Sequence, residues 1–175
     1  VEKLNAFTPH GGQFALRAAA STAGHKLHFR FELRDPASEV VGGPVSGLYT
    51  KVARLDGLWQ RTCFEAFFAE EGSKEYWELN VAPDGSAWNL YRFEGYRVPQ
   101  PPTVSNDFTL EKISIKDGAV DCWLVPARKT AALEASLCAV VNTAAGKHYL
   151  AVAHAGGKPD FHLRSGFCVR LAALA

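Results

Sequence analysis

The sequence predicts an all-β fold, an antiparallel β-sandwich or jelly roll of about ten strands, with strand several-fold in excess of helix. Three observations predict it. Between His25 and Asp35, Leu27, Phe29, Phe31 and Leu33 alternate with Lys26, His28, Arg30, Glu32 and Arg34. That two-residue period belongs to a strand with one face wet and one buried. Between Trp59 and Arg97 lie three aromatic-rich runs, W-Q-R-T-C-F-E-A-F-F, Y-W-E-L-N-V-A-P-D-G and A-W-N-L-Y-R-F-E-G-Y-R. Finally, short turn signals recur at close spacing while no convincing long helix appears, the pattern of a sandwich.

Each element follows in order. Gln13 to Ala19 is a short strand, and the Thr22-Ala23-Gly24 break separates it from His25 to Asp35. Gly42 to Gly57, with four glycines and a proline, reads as a long loop. Arg61 to Ala69, Glu75 to Val81 and Ser86 to Phe93 read as neighbouring antiparallel strands. The last two are joined by Pro83-Asp84-Gly85, where Pro fixes φ and Gly supplies a positive φ. Val98 to Thr103 carries three prolines and cannot be a central strand. Lys116-Asp117-Gly118 joins Phe108–Ile115 to Ala119–Val125 as a hairpin. Thr130 to Ala135 reads as one short helical turn. Leu137–Thr143 and His148–His154 flank a second hairpin turn, Ala144 to Lys147, and Phe167–Leu171 closes the sheet.

Composition bounds the class. The length of 175 residues suits one domain, residues 1–175, and 47% hydrophobic with 21% charged residues is the balance of a chain with a core. The net charge of +1 supplies no electrostatic reason to expect nucleic acid or an anionic membrane as a partner. No apolar run is long enough to span a bilayer. No basic start followed by an apolar run opens the chain, so no secretion signal is read, although one cleaved before Val1 is compatible with the sequence. The absence of Met, initiator included, implies a chain that is not a complete translation product. Cys63, Cys122, Cys138 and Cys168 lack paired zinc-ligand spacing and sit in apolar contexts, so four buried thiols are expected, with a disulfide as the alternative. The location that follows is cytoplasmic.

Two groups of residues could carry chemistry. If Trp77, Leu79 and Val81 face the core, then Tyr76, Glu78 and Asn80 face the other way. On the strand before, Phe64, Ala66 and Phe68 oppose Cys63, Glu65 and Phe67. Two adjacent carboxylates, Glu65 and Glu78, need a compensating cation or a ligand. Arg92 is the candidate cation, which places Trp88 and Arg92 on their face. Such a face suits sugar hydroxyls, with carboxylates and amides for hydrogen bonds and Trp for stacking. It equally suits a structural Glu–Arg network. The second group is His154, Asp160 and His162 around Ala155-Gly156-Gly157-Lys158-Pro159, a possible metal site or dyad, or simply hydrogen-bonded surface residues. The common catalytic signatures are missing, so no catalytic residue is assigned, and a hydrolase using Glu65 and Glu78 rests on residue type alone.

The W-x-x-T-C-F-E-A-F run, the Y-W-E-L-N-V-A-P-D-G and Y-R-F-E-G-Y-R runs and the later G-K-P-D-F-H resemble the bacterial DOMON-like proteins, relatives of family 9 carbohydrate-binding modules. The resemblance spans about Trp59 to His162. It implies an immunoglobulin-like or jelly-roll sandwich that binds a sugar or haem without catalysis. In that family a sugar lies between two Trp rings above charged and amide groups, a role for which Trp59 and Trp88 are the nominees. Its haem-binding members use Met and His ligands. With no Met, this chain fits haem only if His154 or His162 serves with another ligand. No acid-rich loop indicates structural calcium. The expected ligand set is therefore Trp59, Glu65, Glu78, Asn80, Trp88, Arg92, His154, Asp160 and His162, and the expected ligand a small molecule, a sugar before haem.

Overall fold

A computed structural model describes residues 1–174. The strands in chain order are β1 (Glu2–Lys3), β2 (Asn5–Ala6), β3 (Ala15–Ala23), β4 (Lys26–Arg34), β5 (Gly47–Tyr49), β6 (Ala53–Arg54), β7 (Cys63–Glu70), β8 (Tyr76–Val81), β9 (Ala87–Phe93), β10 (Thr103–Val104), β11 (Phe108–Lys116), β12 (Ala119–Pro126), β13 (Leu133–Thr143), β14 (Gly146–Ala151) and β15 (Val169–Leu171). Two single 3₁₀ turns, Leu58–Gln60 and Arg164–Gly166, are the helical elements among the described residues. The all-β expectation holds. The excess over ten strands comes from edge pieces of two or three residues.

The strands form two sheets. One has the order β1-β3-β4-β12-β11-β5; the other runs β10-β9-β8-β7-β13-β14-β2, with β15 on β13 and β6 on β9. All pairings are antiparallel except the short β6–β9 contact. The sheets pack face to face through alternate residues. Leu27, Phe29, Phe31 and Leu33 of β4 are buried, with Phe64, Ala66 and Phe68 of β7 and Trp77, Leu79 and Val81 of β8 in the same core. Phe29 meets Phe68 at 5.5 Å and Phe31 stacks on Phe64 at 5.1 Å between ring centroids, so the aromatic rungs join the sheets. Burying each such ring contributes about 1.5–3 kcal/mol.

The central strands of the larger sheet are buried on both faces, which is why their sequences read almost continuously apolar and aromatic. Their outer face carries a second cluster, Phe67, Tyr76, Tyr91, Phe93 and Cys138, covered by Phe167 and Phe161 from the C-terminal segment. This is the face that alternation assigns to Glu65 and Glu78. The returning chain covers it and leaves a cavity.

Other departures have identifiable causes. Thr130–Ala135 is not a helical turn, because Leu133 pairs with both Glu70 and Leu171 and the long-range ladder overrides local propensity. The Gly42–Gly57 loop contains β5 and β6. Cys63, Cys122 and Cys138 are buried free thiols, but Cys168 is exposed, since alternation gives the buried position to Phe167.

The β11–β12 turn is tightly specified. Asp117 and Gly118 both have positive φ, 51° and 79°, as a two-residue hairpin turn of the right twist requires. A Cβ at Gly118 would lie 2.5 Å from the Leu33 carbonyl oxygen. Gly118→Ala therefore meets backbone strain and a backbone clash together. The expected loss exceeds the ~1–2 kcal/mol of the left-handed conformation alone, checked by urea denaturation. Asp117→Gly, at the neighbouring position, should change stability far less.

Candidate functional site

A cavity of about 320 Å³ lies on the outer face of the larger sheet. Its base comes from Glu65 and Phe67 of β7, Glu78 of β8, Phe93 of β9 and Val140 of β13. Lys147 and Tyr149 of β14, Trp59, Arg97 and Gln100 of the post-β9 loop, and Pro159 to His162 form its sides. Strand register explains the gathering. Phe67 pairs with Glu78 and Glu65 with Asn80, so the two carboxylates stand on one face, diagonally across adjacent strands.

The register of β9 resolves the ambiguous face. Glu78 pairs with Tyr91 and Asn80 with Asn89, while Trp88 pairs with Val81 and Arg92 with Trp77. Trp88 and Arg92 thus share the face of the core residues and lie away from Glu65 and Glu78. Trp88 is 5% exposed within the intersheet core, under the Arg54 guanidinium at 4.3 Å from its ring centre. Arg92 pairs with Glu75 at 2.7 Å. Both nominations to the ligand face are corrected. The physical reason is that Asn89, Tyr91 and Phe93 form a buried polar and aromatic row under the covering loops, leaving the core side to Trp88 and Leu90.

Of the other nominees, Trp59, Glu65, Glu78, Asp160 and His162 line the cavity. Asn80 lies beneath it, fully buried, donating from Nδ2 to Glu78 Oε1 at 2.8 Å and accepting the Cys63 thiol at 3.4 Å. His154 is not on the lining. Its Nε2 lies 2.7 Å from the Asn5 carbonyl oxygen, and its ring meets Phe7 edge-on. The expected trio of His154, Asp160 and His162 is therefore split. Among the described residues no three His, Cys, Asp or Glu side chains form a metal-binding group.

Asp160 organises the rim. Its carboxylate accepts from the Tyr96 hydroxyl at 2.6 Å, from Arg97 at 3.1 Å and from the His162 backbone N–H at 3.1 Å. This clasp ties the Gly95–Val98 turn to the C-terminal segment and, despite partial burial, holds the Asp160 carboxyl below its ordinary value. Arg97 sits at φ 54°, a left-handed conformation uncommon for a side chain of its size. Its backbone N–H donates to the Tyr76 hydroxyl at 3.1 Å, and that hydroxyl lies 2.9 Å from His162 Nδ1. The Tyr76 hydroxyl thus joins the Arg97 backbone to His162 Nδ1 and leaves Nε2 as the free ring nitrogen. That nitrogen faces Glu78 Oε2 at 3.8 Å. Burial, aided by Arg97, lowers the His162 pKa to about 4, so the ring is neutral near pH 7.

The carboxylates at the base are the electrostatic focus. Burial and the neighbouring Glu78 charge push Glu65 well above the ordinary range, with Lys147 acting the other way. Burial raises Glu78 to about 7, opposed by the Asn80 hydrogen bond and Arg97. Glu65 is 2% exposed, and its Oε1 has no hydrogen-bond partner in the protein. A buried polar atom left without a partner is costly and uncommon.

Sequence reasoning missed Phe67, Phe93, Arg97, Lys147, Tyr149 and Phe161. Alternation placed Phe67 beside Glu65, and Phe161 adjoins Asp160, so both had a signal. Lys147 and Arg97 reach the cavity through register and turn geometry. A second cavity, about 380 Å³, lies beside the β13–β14 hairpin at His10, Phe14, Glu39 and His148. Glu39 accepts the Gln13 N–H at 2.9 Å and His148 Nε2 lies 3.1 Å from the Thr143 hydroxyl, so it lacks the unpartnered buried acid of the first.

No family model and no curated protein matches the chain. Among solved structures, it is similar to a proposed carbohydrate-binding protein from Bacteroides uniformis ATCC 8492. The TM-score is 0.59 at 13% identity, covering 90% of this chain and 77% of the other. At that identity the likeness establishes the shared β-sandwich fold.

Proposed function

We propose that the outer-face cavity binds a carbohydrate and does not transform it, as the DOMON-like and family 9 resemblance implies. The observation that carries the reading is Glu65, buried at the base of an aromatic-sided cavity with Oε1 unpartnered. A sugar supplies what that atom lacks: adjacent hydroxyls to bond Glu65 and Glu78, and C–H faces to lie on rings. Trp59, 38% exposed and set edge-on to Tyr91, and Phe161 are the stacking candidates. The Bacteroides neighbour described as carbohydrate-binding supports the same class.

Haem fits this cavity poorly. The His162 Nδ1 is taken by Tyr76 and its Nε2 faces Glu78, while His154 stands outside the lining. His154 and His162 do not line this cavity together.

A glycan array followed by calorimetry on its strongest hit tests the proposal. Trp59→Ala is expected to weaken binding by about 1–3 kcal/mol, roughly the burial value of a large side chain, with an unchanged melting temperature. Glu78→Gln should chiefly alter which sugar is preferred, since an acceptor becomes a mixed donor and acceptor. Sugars recovered intact after long incubation complete the expected result. Unchanged affinity in Trp59→Ala would remove that ring from the site, and release of hydrolysed sugar would make the chain an enzyme.

A further inference from the structure

We infer that the ligand of the outer-face cavity carries a protonated amine, which within the carbohydrate reading on which this rests makes it an amino sugar with a free amino group. The geometry of charge is the argument. Glu65 and Glu78 share the base of the cavity, both nearly inaccessible to solvent, yet among the described residues no lysine or arginine forms an ion pair with either. Glu78 accepts from the neutral Asn80 amide at 2.8 Å and faces the His162 ring at 3.8 Å.

The charged and titratable groups facing the pair are Lys147, Arg97, His162, Asp160, Tyr76, Tyr91, Tyr149 and Cys138, and the cations among them are engaged elsewhere. Arg97 pairs with Asp160, and Lys147 Nζ donates to the Trp59 and Gln60 carbonyls at 3.4 and 3.3 Å. Cys63, beneath the pair, is a buried thiol whose pKa burial raises, so it stays neutral. The Glu65 side chain therefore lines the cavity with no cation paired to it to neutralise it once ionised. A neutral sugar would satisfy its hydrogen bonding but would leave the two acids unable to ionise together, since two buried negative charges so close repel. An ammonium would satisfy both acids, and the surrounding Trp59, Phe67, Phe93, Tyr149 and Phe161 rings offer π faces that attract a cation.

Binding an ammonium here also favours proton release, because burial and Glu78 raise the Glu65 pKa. The test is calorimetry of the full chain at pH 6.5 in two buffers of different ionisation enthalpy. The probes are glucosamine and galactosamine, their N-acetyl and hydroxyl counterparts, and ethanolamine as an amine without a sugar. At least one amino sugar should bind about tenfold or more tighter than its N-acetyl and hydroxyl counterparts, a difference of about 1.4 kcal/mol. It should release protons as it binds, and Glu65→Gln should reduce both the preference and the release. Equal affinity for the acetylated or hydroxyl sugars overturns the amine inference and leaves the carbohydrate reading standing. Ethanolamine binding with no sugar bound overturns the carbohydrate reading and keeps the amine. Failure of every probe overturns the amine inference for these sugars.

Discussion

Trp88→Ala is expected to destabilise the protein by about 3–5 kcal/mol, the usual result of truncating a buried Trp. The ring sits in the core between the sheets, 5% exposed, beside its cross-strand partner Val81 and under Arg54. Truncation opens a void where the sheets meet and leaves the Arg54 guanidinium above it. Arg54 also donates to the Ser105 carbonyl at 2.7 Å, so the loss reaches the chain leading into β11. The matching expectation is that the folded fraction of Trp88→Ala binds its ligand as the wild type does. Chemical denaturation with parallel calorimetry separates the two effects. A stable variant with lost affinity would return Trp88 to the ligand face and overturn the register described here.

The second large effect is on the pH dependence of stability. Glu78 has its pKa raised from 4.5 to about 7. The folded state therefore holds a proton that the unfolded chain releases, and stability falls as pH rises through that window. The corresponding amount is about 3 kcal/mol. His162 has the opposite sign: lowered from 6.5 to about 4, its folded form lacks a proton the unfolded chain binds. It contributes stability that grows as pH rises from about 4 to 6.5, and the two nearly offset each other there. Glu65, raised well above the ordinary range by burial and by Glu78, adds a decline of the same sign as that of Glu78. Glu78→Gln should match the wild type at pH 4, exceed its stability by about 3 kcal/mol at pH 8, and decline less than the wild type as pH rises, with Glu65 still opposing His162. Thermal melts across pH 4–8 check this. A variant no more stable than wild type at pH 8 would mean that Glu78 is solvated.

Much of the fold was legible because alternation is a strong signal. Leu27, Phe29, Phe31 and Leu33 announced their sheet, and Lys116-Asp117-Gly118 its hairpin. Alternation also put Glu65 and Glu78 on one face. It could not choose the face of β9, since Trp88-Asn89-Leu90-Tyr91-Arg92-Phe93 alternates two mixed sets, and the charge argument that favoured Arg92 chose wrongly. The protein meets the problem of two buried acids by raising their pKa values, and leaves Arg92 on Glu75. What lies over the outer face depends on segments distant in sequence. Phe161 and Asp160 reach it through the clasp with Tyr96 and Arg97, which no local pattern specifies. Four buried thiols failed at Cys168 for a local reason, the neighbouring Phe167 taking the inward position.

A sugar is expected to bind in the cavity bounded by Glu65, Glu78 and Trp59. The chain has four tryptophans, in different settings. Trp59 lines the cavity, Trp77 and Trp88 pack in the core, and Trp123 stacks on His28 on the other sheet. A two-dimensional nitrogen–proton NMR titration, with the four indole N–H signals assigned by single Trp→Phe variants, reads all of them at once. On adding the best array sugar, the Trp59 indole signal should move and saturate while those of Trp77, Trp88 and Trp123 stay in place. A saturating shift at Trp123 with Trp59 unmoved would place the ligand on the opposite sheet and contradict the account.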